Sequence, residues 1–213
     1  MQAIGFNKRY GLQQAVFNRT KLMTRRLEKG LKHLEGLKDD EFCFIKALGK
    51  TEVQIYDDST KRPKIIVPRY KIGEVVAIKQ SYGEVYDELF GDVALISDRT
   101  IELHCKYILM ETQKSEIKGW TNKMFILPEL MMHHIRITDI KLERLQDISD
   151  EDCLKEGIEL FRDRYAVDDT VRKVLTVCNT PREAFAILIN KTCGRGTWIR
   201  NPFVFAYSFK FID

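Results

Sequence analysis

Phe203, Phe205, Tyr207, Phe209 and Phe211 recur at every second position near the C-terminal end of the chain. Strand side chains alternate between two faces, so this spacing predicts a strand with five aromatic rings on one side. Aromatic rings dominate core burial, and the run is expected to line the core of a barrel. The alternative is a face on which nucleic-acid bases stack. A second long strand is expected over 133–145. There Ile135 and Ile137 are apolar in one phase, Ile140 and Leu142 in the other. Such a switch near Thr138 and Asp139 implies a β-bulge or a strand passing between two sheets.

Further strands are expected at 52–56, 74–79 (after a turn at 70–73), 93–96, 101–110 and 120–128. Short helices are expected at 11–18, 27–37 and 81–90. Ser149 is placed to cap a helix whose first turn holds Asp150, Glu151 and Asp152, with Gly157 as its stop. Two more helices are expected at 169–177 and 181–191, the second capped by Thr180 with Pro181 at its first position. Strands with segregated helices make an α+β chain. The 213 residues show no internal repeat and no Gly/Ser-rich seam, so one domain over 1–213 with helical insertions is expected. The stretch 88–118 has no assigned role.

Charge is uneven. Residues 1–38 hold nine basic side chains and two acidic ones, +7, whereas the whole chain carries +4. A local basic field concentrates phosphate-bearing partners; a solvated basic face is the alternative. The five cysteines (Cys43, Cys105, Cys153, Cys178, Cys193) are scattered and never form a C-x-x-C pair. That argues against a zinc knuckle and against a disulfide framework, and points to a reducing, cytoplasmic setting. The longest apolar stretch, 124–132, is broken by Pro128 and Glu129, too short to span a bilayer. His133 and His134 are adjacent and face opposite ways in a strand, so a shared metal is not expected. Loop 193–196 carries Arg195. Trp120 is read as core and Trp198 as core or cleft wall.

Four stretches carry a family resemblance: Arg19 through Arg26; Tyr70 through Glu74; Glu143 through Ser149, running on to Glu156, Gly157 and Ile158; and Asn201 through Phe205. In order and spacing they resemble the ASCH-domain proteins, particularly the longer members found in phages and prophages. Those relatives show a G-R-K-T-x-T-R-R run, an ERLQDIS…EGI run and an NPWVW ending. The resemblance implies a PUA-like fold, a partly open β-barrel with flanking helices. It also implies a basic cleft for RNA or a nucleotide-like ligand, with Arg19, Lys21, Arg25, Arg26 and Trp198 as ligand-binding residues. Arg19 stands where the family motif has glycine, and Thr24 where it has glutamate. Arg19 is strained if that turn requires positive φ.

A bacterial branch of the family deacylates N-acylated cytidine. By that likeness Lys21, Thr24 and Glu156 form a metal-independent amidohydrolase set with no cofactor. Lysine takes the threonine proton once desolvation or nearby arginines lower its pKa, and glutamate returns a proton to the leaving amine. Set against these roles are solvated cations at Lys21, Arg25 and Arg26, a strand-surface threonine and a helix-surface glutamate. A protein-interaction role is a third expectation.

Overall fold

The terminal aromatic alternation forms β11 (Phe203–Phe211), an antiparallel partner of β2 (Met23–Arg26). Phe203, Phe205, Tyr207 and Phe209 are buried, and so are Val204 and Ala206 on the other side. The rings therefore pack into a core, and the strand is covered on both faces. In this computed structural model the described residues are 1–38, 41–47, 50–56, 63–81, 83–85, 88 and 128–212. They fall into two compact units. The smaller comprises Met1–Phe6, Val75–Ile135 and Ile212–Asp213, the larger Asn7–Glu74 and Arg136–Phe211.

In the smaller unit β1 (Gln2–Ile4) runs parallel to β6 (Val75–Ile78). Gln80 is buried there, its amide nitrogen donating to Glu88 and its oxygen accepting from the Met132 N–H.

In the larger unit β11 lies between β2 and β7 (His134–Arg144), whose first two residues belong to the smaller unit. Ile135, Ile137 and Ile140 are all fully buried, so burial changes phase between Ile137 and Ile140 inside one continuous strand. Asp139, at the switch, pairs with Lys46 at 2.7 Å. A second sheet holds β3 (Phe42–Ala47), β4 (Lys50–Ile55) and β5 (Lys64–Ile66), all antiparallel. Phe42 and Phe44 pack on Phe203 and Phe205, with centroids 5.3 and 6.4 Å apart. Only β4 of this sheet was expected.

Local signals placed three of the helices. α1 spans Leu12–Phe17 and α2 spans Asp150–Lys155. Ser149 Oγ accepts from the Asp152 N–H, and Gly157 closes α2 with φ of 93°. α3 (Pro181–Cys193) starts on a capping box of Thr180 and Glu183. Segment 27–37 is shorter and tighter than expected, a 3-10 helix over Lys29–Leu34. Leu31 and Leu34 are its buried residues, three apart as 3-10 geometry stacks them.

The helix expected at 169–177 is instead a hairpin. β8 (Glu159–Phe161), β9 (Arg164–Asp169) and β10 (Val174–Cys178) form a third antiparallel sheet. Val171, Val174, Leu175 and Cys178 imitate a helical stripe. The turn at 170–173, with Lys173 at φ of 54°, breaks it, and β-branched residues favour the strand. A short α4 (Thr197–Arg200), not expected, precedes β11.

The described residues are thus a sheet-dominated α+β arrangement in which no ring of strands closes into a barrel. None of their helices is long and apolar enough to cross a membrane. The strands expected at 93–96 and 101–110, almost all of 120–128 with Trp120, Cys105, and most of 88–118 lie outside the described residues; of the 81–90 helix, 83–85 and 88 are helical.

Candidate functional site

Lys21 sits between α1 and β2. Its own N–H and that of Thr20 both donate to the Ala15 carbonyl, and the Leu22 N–H donates to the Lys155 carbonyl at 2.8 Å. The end of α2 is thereby fastened against this segment. Gly157 completes the fit: a Cβ there would lie 3.3 Å from Leu12 Cδ2 and 3.5 Å from the Lys21 stem. The positive φ of 93°, which glycine adopts without strain, bends the chain away after Glu156.

The Lys21 ammonium is 1% exposed as a residue and donates to the Glu156 carbonyl (2.6 Å) and to Glu156 Oε2 (2.7 Å). Glu156 Oε1 accepts from Arg25 Nη1 at 3.1 Å. Arg25 Nε donates to Glu143 Oε1 (2.7 Å), and Nη2 reaches Asp152 Oδ2 (3.3 Å). Its guanidinium also lies 6.0 Å from the Phe185 ring centre. Two buried cations thus face three carboxylates, and Lys155 adds a third cation at Asp152. The charges balance inside the protein.

Burial pushes the Lys21 amine below its ordinary value; Glu156 offsets this only in part, and the Arg26 and Arg25 charges add to it. Arg25 is also desolvated, yet Glu156 and Glu143 hold its pKa above the ordinary value. Asp152 is desolvated too, but Lys155 and Arg25 outweigh that and lower it. The neighbouring Cys153 thiol is pushed up to about 12 by burial, so it is no nucleophile.

The expected site residues divide. Lys21, Arg25 and Glu156 come together. All three are buried, which overturns the solvated-cation reading for Lys21 and Arg25 and the helix-surface reading for Glu156. Thr24 is buried as well, so it is no strand-surface residue. It alternates with Arg25 and lies opposite Tyr207 in the β2–β11 register. Tyr207 donates its hydroxyl proton to Glu28, while the Arg69 N–H contacts both (Glu28 Oε2 and Tyr207 Oη, each 3.1 Å). Burial raises the Glu28 carboxyl. Lys21 Nζ is engaged by Glu156 rather than by Thr24 Oγ.

Arg26 is half-buried, and its charge acts on both Lys21 and Glu28. Arg19 is apart from the network. It is exposed, with φ of 60° and its guanidinium 5.7 Å from the Phe211 ring centre. This non-glycine residue therefore adopts the left-handed region. Trp198, half-buried on α4, packs edge-on against Phe185 at 6.1 Å and lies under Arg182. One ring separates it from Arg25.

Glu143 and Asp152 escaped the functional reading. Asp152 was read only as a helix-start acid, although its spacing of four from Glu156 puts both on one helix face. A cleft also touches Gly157, but its lining includes Tyr10, Leu12, Glu159, Asp168, Leu175 and Leu188 and no lysine or arginine. No group of three or more potential metal ligands occurs among the described residues. Comparison with protein families, with curated proteins and with solved structures finds no match to this chain.

Proposed function

We propose that this chain is an ASCH-type, PUA-like domain that binds single-stranded RNA or a nucleotide-like ligand beside the Lys21–Glu156–Arg25 network. The supporting observation is the convergence of charged groups 131 and 135 positions apart in sequence at one buried point. A buried ion network is a poor source of stability, because well-packed apolar residues do as well. Desolvated, mutually perturbed groups concentrate at functional sites. Since Lys21 and Arg25 are buried, phosphate contact falls to the more accessible cations of the same stretch, Arg26, Arg19, Lys29 and Lys32. The network is the floor that holds β2, and hence Arg26, in place. Anisotropy titrations with a fluorescent single-stranded RNA should give an affinity that falls with added salt and falls again in Arg26→Ala. Absence of binding, or affinity indifferent to that change, overturns the reading.

A second reading rests on the lowered pKa of Lys21 and its contact with Glu156. In it the Lys21 proton first crosses its hydrogen bond to Glu156. Thr24 Oγ then attacks the acyl carbonyl of an acylated cytidine and passes its proton to the neutral Lys21 amine, while Glu156 protonates the leaving nitrogen as the C–N bond breaks. Water, losing a proton to the Glu156 carboxylate, releases the acyl group as its acid, and Thr24 recovers its proton from Lys21. It requires Lys21 to turn from Glu156 toward Thr24 when substrate binds. Acylated cytidine incubated with wild type, Thr24→Ala and Lys21→Ala decides it: turnover by the wild type, abolished in both variants, is expected. An inert wild type removes the reading for that substrate.

A further inference from the structure

The larger unit carries a surface that ligand binding does not use. β10 lies at one end of the strand order β10–β9–β8, and among the described residues no strand lines its outer side. Val174, Leu175 and Val177 are 49%, 42% and 40% exposed. Val174 and Leu175 point to opposite faces, Leu175 also walling the cleft beside Gly157, so each side of this edge carries partly exposed hydrocarbon. An open edge is a template for pairing with another chain, and soluble proteins block such edges with charge or proline. From Val174 through Asn179 there is neither. We propose that β10 pairs antiparallel with β10 of a second copy of this chain about a two-fold axis at Thr176, forming an isologous dimer.

Charge complementarity selects a second copy as the occupant. In this register Lys173 of one copy faces Asn179 of the other, and Arg172 faces Thr180. The Glu183 carboxylate is held at that point, its Oε2 accepting from the Asn179 N–H (3.1 Å) and the Thr180 N–H (3.3 Å). Each end of the paired strands therefore brings two cations to one carboxylate. Between them the segment Val174–Cys178 sets no like charges against each other, which would oppose pairing. On each face the apolar side chains are flanked at the same time, Val174 by Cys178 and Leu175 by Val177 of the second copy.

Sedimentation of the full chain across a concentration series should show a reversible dimer. Thr176→Lys sets two ammonium groups face to face on the axis and should leave only monomer, with far-UV circular dichroism unchanged. Thr176→Cys supplies the converse test, independent of whether the lysine variant folds. Facing Cβ atoms in an antiparallel pair approach to about 5 Å, so mild oxidation should yield a covalent dimer. Ile199→Cys, at an 82% exposed position outside β10, should cross-link no faster than the wild type with its exposed Cys193. A wild type that stays monomeric overturns the proposal. So does a Thr176→Lys protein that dimerises like the wild type, or a Thr176→Cys protein that cross-links no faster than Ile199→Cys.

Discussion

Glu156 divides its carboxylate between two cations, Oε2 to Lys21 and Oε1 to Arg25. Glu156→Gln keeps the shape and removes the charge, leaving the pair short of one counter-ion in a buried place. Stability should fall by about 3–5 kcal/mol, read as a lower urea midpoint at constant slope. A loss under about 1 kcal/mol would mean that water already reaches the network. Arg9 and Asp169 form the second strong pair, bidentate at 2.8 and 2.7 Å. Arg9 holds the Asp169 carboxyl down at about 2. A depressed carboxyl stabilises the fold above its unfolded value, near 3.8, and that contribution is lost as pH falls toward about 2. Wild type should therefore exceed Asp169→Asn in urea stability at neutral pH, with the gap shrinking between pH 3.8 and 2. A gap constant over that range would refute the linkage. Lys21 and Glu156 were legible as candidates in the sequence; Glu143 as the partner of Arg25 was not, since nothing local says which acid a guanidinium meets 118 positions away.

Elements were legible where their signals are local. The caps of α2 and α3 follow from side chains that bond backbone groups three residues on, a matter of neighbours alone. Thr180→Ala should accordingly cost about 1 kcal/mol in thermal unfolding, with Thr180→Ser close to wild type. Equal stability of Thr180→Ala and wild type would show that Pro181 and the Glu183 contacts suffice. The β9–β10 hairpin was misread because a helical stripe and a turn with two flanking strands share one apolar spacing there. What separates them is burial: Ala166, Val167 and Cys178 are covered while Val171 and Val174 are not, and only packing decides that. Arg19 adopts a left-handed φ of 60°, a backbone state its own side chain gives no local signal for.

For the molecule as a whole, the basic stretch 1–38 is less basic outward than its composition suggests. Of its nine cations, Arg9, Lys21 and Arg25 are matched by acids lying beyond residue 140, so at most six face an outside anion. Single-stranded nucleic acid releases about 0.7 counter-ion per contact, so the log–log salt slope of RNA binding should be no steeper than about −4. A slope near −6, roughly what nine contacts would give, would mean that the network opens to free its cations. The sequence by itself determined the strand periodicity of β7 and β11, the helix caps and the concentration of charge, because each is a pattern among near neighbours. Tertiary structure alone decided which charges are spent internally, that Lys21 lies under Gly157, and that among the described residues no strand lines the outer side of β10. Those depend on which distant backbone is docked alongside, and on the water that docking removes.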